Sequence, residues 1–149
     1  MKKKQIVVVQ NNDDILGEIR FCIGSMNGDV IRRVGFAICP SEASVFLGDT
    51  AVPVIVSGNV FATGIGDGLR FAADIKSERP EALFLMYSTA PVQDVIIDAH
   101  VPKAGLERLD PARHELLARV VLAIDGGAAL PDIVRFPGVT RGSELPVAA

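Results

Sequence analysis

The 149-residue chain has the length of one domain, because single hydrophobic cores run to roughly 100–150 residues before a chain divides. Hydrophobic residues make up 49% and charged residues 22%, at a mean hydropathy of +0.35, which excludes wholesale disorder. The 15 Lys and Arg against 18 Asp and Glu leave a net charge of −3, without the basic surface that general nucleic-acid binding needs.

The only basic run, Lys2, Lys3 and Lys4, reads as a solvated end. The longest apolar stretch, Ala82 to Tyr87, falls far short of the roughly 20 residues that span a bilayer, and no secretory signal pattern opens the chain. A cytoplasmic protein with no membrane partner is therefore expected. Cys22 and Cys39 are too few for a disulfide framework and too far apart for a CxxC redox or zinc pair, so buried thiols are expected.

In chain order, Gln5 to Val9 is a β-branched run ended by Gln10, Asn11 and Asn12, a buried strand leading into a helix cap. Ile15, Ile19, Cys22, Ile23 and Met26 then recur at helical spacing, with Asp13 and Asp14 where the helix dipole favours negative charge and Asn27-Gly28 as the stop. Asp29 to Ile38 is strand-like, and Pro40, Ser41 and Glu42 open a short helix carrying Ala43, Phe46 and Leu47 and closed by Gly48. Pro53 to Ser57 is a third strand, followed by a loop through Gly58, Gly64, Gly66 and Gly68.

Leu69, Ala72, Ala73, Ile75 and Lys76 mark a helix that must end before Arg79-Pro80, since proline disfavours helical backbone in the residue before it. Ala82 to Tyr87 is apolar on both faces, as a central parallel strand covered by helices would be. Asp110 and Pro111 open a helix with Leu116, Leu117, Val120, Val121 and Ile124 on one face and Gly126 as its stop. This β/α alternation predicts a doubly wound α/β fold around a parallel sheet. Beyond Gly127 the segment with Pro131, Pro137 and Pro146 has no period, so residues 1–127 are expected to form the domain and 128–149 a tail that wraps the body or stays mobile.

From Lys4 to about Ile124 the chain resembles the receiver domain of response regulators, the flavodoxin-like module of bacterial two-component signalling. The pieces that carry this are IVVVQNNDDILGEI, GFAICPSEASVFL, GDGLRFAADIKSERPEALFLMYSTA, and DAHVPK followed by HELLARVVLAI. The resemblance implies a five-stranded parallel sheet. An active receiver needs a carboxylate cluster at the C-terminal ends of its first and third strands, to hold Mg²⁺ while an aspartate takes a phosphoryl group.

Here the acidic pair after the first strand is replaced by Gln10 and Asn11, and the phosphoacceptor position falls on Asn59 or, with a one-residue difference in the loop, on Ser57. Neither an amide nor an unactivated serine forms an acyl phosphate. The resemblance also assigns Ser88 or Thr89 to the hydroxyl position after the fourth strand and Lys103 to the pocket lysine, expected to satisfy amide oxygens of Asn59 or Gln10. Ala104 follows where the family usually has proline. The aromatic switch position holds His100, expected as a surface or half-buried structural histidine although its type permits a pH response.

Competing readings are weaker. Asp13 and Asp14 would restore a Mg²⁺ site only if the first strand ran three residues longer, and complementing a helix N-terminus needs no such shift. GIGDG at Gly64 to Gly68 lacks both the third spaced glycine of a dinucleotide fingerprint and the Lys-Ser/Thr of a P-loop. His114, beside Glu115 at a helix start with no second histidine at ligand spacing, is expected in solvent. Ser57 and Ser88 lack a nucleophile elbow.

The expected function is that of a degenerate receiver without enzymatic activity or cofactor, working through a protein partner or a homodimer contact. The alternative is a nucleotide or small-ligand binder at the crevice where open α/β sheets place their ligands, lined by Asn11, Asn59, Gly66 and Thr89. Only 13 residues lie between Thr89 and Lys103, too few for an average helix of roughly 11–12 residues plus strand and loops. A stunted or missing fourth helix is expected, with Val92, Val95 and Ile96 as an exposed apolar partner surface.

Overall fold

The computed structural model describes residues 3–48, 51–58, 60–61, 64–65, 67–89, 96–103 and 114–142. Strand β1 spans Lys3–Val9, helix α1 Asp13–Met26, β2 Val34–Ala37, the short helix α2 Pro40–Ala43 and β3 Ala51–Ser57. Two-residue strands β4 (Val60–Phe61) and β5 (Gly64–Ile65) precede α3 (Asp67–Glu78), then β6 (Leu83–Ser88), β7 (Ala99–Pro102), α4 (Glu115–Asp125), α5 (Leu130–Ile133) and β8 (Thr140–Arg141). The main sheet has six strands in the order β2-β1-β3-β6-β7-β8. Every neighbouring pair from β2 through β7 is parallel, and β8 joins β7 antiparallel.

The β-branched run in β1 is buried on both sides because it lies inside the sheet. Ile6 and Val8 face one core with Val54, Val56, Leu85 and Tyr87, covered by Ile15, Ile19 and Ile23 of α1 and Leu117, Val121 and Ile124 of α4. Val7 and Val9 face the other, with Ile55, Phe84 and Met86 under Phe71, Ala72 and Ile75 of α3. Successive strand side chains point to opposite faces, so each strand feeds both layers. At the N-terminal end of β6, the Asp98 carboxylate accepts from the Phe84 N–H at 2.7 Å and from Lys76 Nζ at 2.6 Å, pinning the approach to β7 against α3.

Helix α1 begins where the sequence indicates. Asn12 Oδ1 accepts from the N–H groups of Asp14 and Ile15, and the Asn27 N–H closes the helix on Ile23 O. Helix α3 likewise ends at Glu78, ahead of Pro80, and Gly126 caps α4. Asp110 and Pro111, the expected start of that last helix, lie outside the described residues, which resume at His114.

Three expectations are corrected. Asp29 to Ile38 is not one strand, because Asn27 Oδ1 accepts from the Asp29 and Val30 N–H groups and winds the chain into a 3-10 turn over Val30–Arg33 before β2. The glycine-bearing loop after β3 contains an antiparallel hairpin, β4 with β5. Among the described residues the sheet holds six strands rather than five, the sixth drawn from the segment read as a tail. That segment wraps the body: Ile133 is fully buried, and the Gly142 N–H donates to Asp98 O. The fourth-helix expectation falls largely on residues 90–95, outside the described residues, and β7 begins at Ala99. Among the described residues no helix is long and apolar enough to cross a membrane.

Candidate functional site at the strand ends

Strands β1, β3, β6 and β7 are mutually parallel, so their C-terminal ends fall on one edge of the sheet. Gln10 follows β1, its N–H donating to Ala37 O. Its side chain is 2% exposed, and Nε2 has no hydrogen-bond partner. The amide lies directly on Gly58, where a Cβ would stand 3.3 Å from Nε2 and 3.4 Å from Oε1. Gly58 is held in place by donating to Val9 O, so a side chain at this position would press on the Gln10 amide where it folds inward over the end of β3. Asn11 is exposed.

Ser57, in register with Val9 on one side and Met86 on the other, is fully buried, and its Oγ donates to Gly58 O at 2.8 Å. That hydroxyl is committed to a backbone turn. Asn59, the alternative phosphoacceptor position, lies outside the described residues, as does Gly66. At the end of β6, Ser88 is half-buried and Thr89 exposed. The Ser88 carbonyl accepts from the Lys103 backbone N–H at 3.0 Å and from His100 Nε2 at 3.1 Å. These bonds draw together three of the residues singled out in the sequence.

His100 is 4% exposed, more deeply buried than expected. A carbonyl can only accept, so Nε2 carries the proton in this contact, and the Ser88 hydroxyl lies at 3.1 Å from the same nitrogen. Burial pushes the His100 pKa below its ordinary 6.5, and the bond to the Ser88 carbonyl offsets part of that shift.

The described strand-end residues Gln10, Asn11, Ser57, Gly58, Ser88 and Thr89 offer amides and hydroxyls and no carboxylate. Asp13 and Asp14 stand in the first turn of α1 behind the Asn12 cap, both exposed, because β1 ends at Val9. Among the described residues no three His, Cys, Asp or Glu side chains are grouped to hold a metal ion. Val92 and Val95 of the expected partner surface lie outside the described residues. Ile96 is half-buried and packs against the α3-side core beside the buried Ile97.

A second polar constellation escaped the sequence reading. His114 is fully buried rather than solvated. Its Nδ1 lies 2.6 Å from the Tyr87 hydroxyl and its Nε2 3.1 Å from Glu18 Oε2. The carboxylate only accepts, so Nε2 donates to it; in neutral imidazole Nδ1 then accepts from Tyr87. The chain of bonds ties β6 to the start of α4 and to the middle of α1. The one available signal was Tyr87, whose hydroxyl needs a partner when a strand this apolar buries it. Cys22 is buried as expected, whereas Cys39 is half-buried at the start of α2 with its Sγ 3.1 Å from Ser41 Oγ.

No family model, curated protein or solved structure matches the chain.

Proposed function

We propose that the chain is a receiver-like interaction module of the two-component type that does not accept phosphate and signals by binding a protein partner. The strand order, with the β4–β5 hairpin set aside, follows the flavodoxin-like order 2-1-3-4-5 through β7. The observation that carries the reading is that the described residues at the strand ends include the cation Lys103 but no carboxylate. Gln10 is folded down onto Gly58 and the Ser57 hydroxyl is bonded to Gly58 O, where an active receiver needs carboxylates to gather Mg²⁺ and neutralise the charge of phosphoryl transfer.

The partner surface in this reading is the segment that holds Val92 and Val95, ahead of Ile96, which packs against the α3-side core. Intact-mass measurement after incubation with acetyl phosphate and Mg²⁺ tests the proposal: the expected spectrum is unchanged. A stoichiometric phosphoryl adduct on an aspartate would overturn it and promote Asp13 or Asp14.

A second reading, a nucleotide or small ligand at the same crevice, draws support from the orphaned Gln10 Nε2, since a buried polar atom without a partner is an uncommon cost in a folded protein. It predicts that thermal stability rises with ligand concentration across a panel of nucleotides. A flat response favours the interaction module.

A further inference from the structure

Strand β2 is the edge of the sheet opposite β8. Ala37 O accepts from Gln10 N, so the N–H and C=O of Ala37 and, by the alternation of a parallel ladder, of Gly35 point toward β1. Those of Val34 and Phe36 point outward, where among the described residues no other strand pairs with them. The Arg20 guanidinium lies over the Phe36 ring, on the α1 side of the sheet, and leaves these in-plane groups open. On the other side Phe46 sits on Gly35 so closely that a Cβ there would stand 2.7 Å from its ring. Ile38, Val45 and Phe46 are 40%, 82% and 42% exposed around the same edge. An unpaired strand edge flanked by exposed apolar side chains is a template for another strand.

We infer that this edge pairs with β2 of a second copy of the chain, antiparallel about a twofold axis at Gly35. Centred there, Val34 of one copy faces Phe36 of the other in both directions, so the outward groups of both strands are matched as hydrogen-bonded pairs. The same axis brings the two Phe46 rings together over the glycines.

Charge selects this occupant over a generic strand. Exposed Arg32 stands at the N-terminal end of β2, and the Glu42 carboxylate stands at its C-terminal end, accepting from the Ile38 N–H at 3.3 Å. Antiparallel pairing places Arg32 of each copy beside Glu42 of the other, so the edge is complementary to itself. This contact uses neither the strand-end crevice nor the segment around Ile96, and it stands or falls independently of the phosphate reading.

Sedimentation equilibrium of the full chain, carried to about 1 mM to include weak association, tests it together with amide hydrogen exchange. The expected result is a dimer in which the Val34 and Phe36 amides gain protection as concentration rises. Arg32→Glu, at an exposed site that leaves the fold intact by circular dichroism, should dissociate it, and adding Glu42→Arg should restore it. A monomer throughout overturns the inference, as does a dimer that Arg32→Glu leaves unchanged. Protection of these amides only when an extended peptide from another protein is added also overturns it, because that peptide and not a second copy is then the occupant.

Discussion

His114 shows what a buried polar residue contributes when its partners come from other elements. Its ring fills space between α1, α4 and β6 while bonding Tyr87 and Glu18, so His114→Ala removes packing and two hydrogen bonds together and should cost about 2–4 kcal/mol in denaturant unfolding. Tyr87→Phe keeps the ring and removes one bond, for about 0.5–1.5 kcal/mol. A His114→Ala protein as stable as the parent would remove the constellation from any structural role. His100 makes a pH prediction. Burial disfavours its charged form, so the unfolded chain binds the proton more readily than the folded one. Stability then rises with pH across this window: the contribution is present above the ordinary pKa of 6.5 and is lost as pH falls from there toward the lower folded-state value. An imidazole NMR titration should place His100 below 6.5, and His100→Gln should flatten the acid limb of the stability profile. The positions Gln10, Ser57, Ser88 and His100 were legible in the sequence through the order of strand ends. Their burial was not, because it depends on which backbone carbonyls and glycines lie opposite, and Gly58 beneath Gln10 or Tyr87 beside His114 is a contact no local pattern displays.

At the level of elements, sequence periodicity and structure agree where a segment is long and amphipathic. Most apolar positions of α1, α3 and α4 fall on the buried faces the spacing indicated, Met26 and Ala73 being the exposed exceptions, and β1, β3 and β6 lie where apolar runs placed them. The errors lie in short elements. Val30 in the 3-10 turn and Val34 in β2 are both buried, so the run from Asp29 looks uniformly strand-like, and the Asn27 side chain decides the backbone instead. The β4–β5 hairpin and β8 have two residues per strand, too short to express a period at all. Capping, by contrast, is local and readable. Asn12 Oδ1 holds two of the free N–H groups at the start of α1 at 2.9 and 3.1 Å, so Asn12→Ala should lower stability by about 0.5–2 kcal/mol and Asn12→Asp by far less. Equal losses for both in thermal unfolding would show that the cap is not what positions the helix beside the strand-end crevice.

For the whole molecule, the decisive question is whether the cooperative fold ends at Gly127 or takes in the segment from Ala128 onward. The Ala128 carbonyl accepts from Lys4 Nζ at 2.8 Å, which fastens the end of α4 to the first strand. Ile133 and Val139 lie in the same core as Val120, Val121 and Ile124. β8 covers the outer edge of β7, with Thr140 and Arg141 in register with His100 and Ala99. Fully burying an aliphatic side chain stabilises by roughly 1.5–3 kcal/mol, so these two contribute about 3–6 kcal/mol before the cost of ordering their segment. A domain of this kind has only about 5–15 kcal/mol in total. Removing residues 128–149 should therefore lower the thermal midpoint sharply, and the bared edge of β7 should make the shortened protein prone to aggregate. Ile133→Ala in the intact chain separates packing from truncation and should cost about 2–4 kcal/mol by itself. A chain ending at Gly127 that unfolds at the same temperature and with the same cooperativity as the parent would instead make the segment a dispensable wrapping, and the core would have to close beneath it without Ile133.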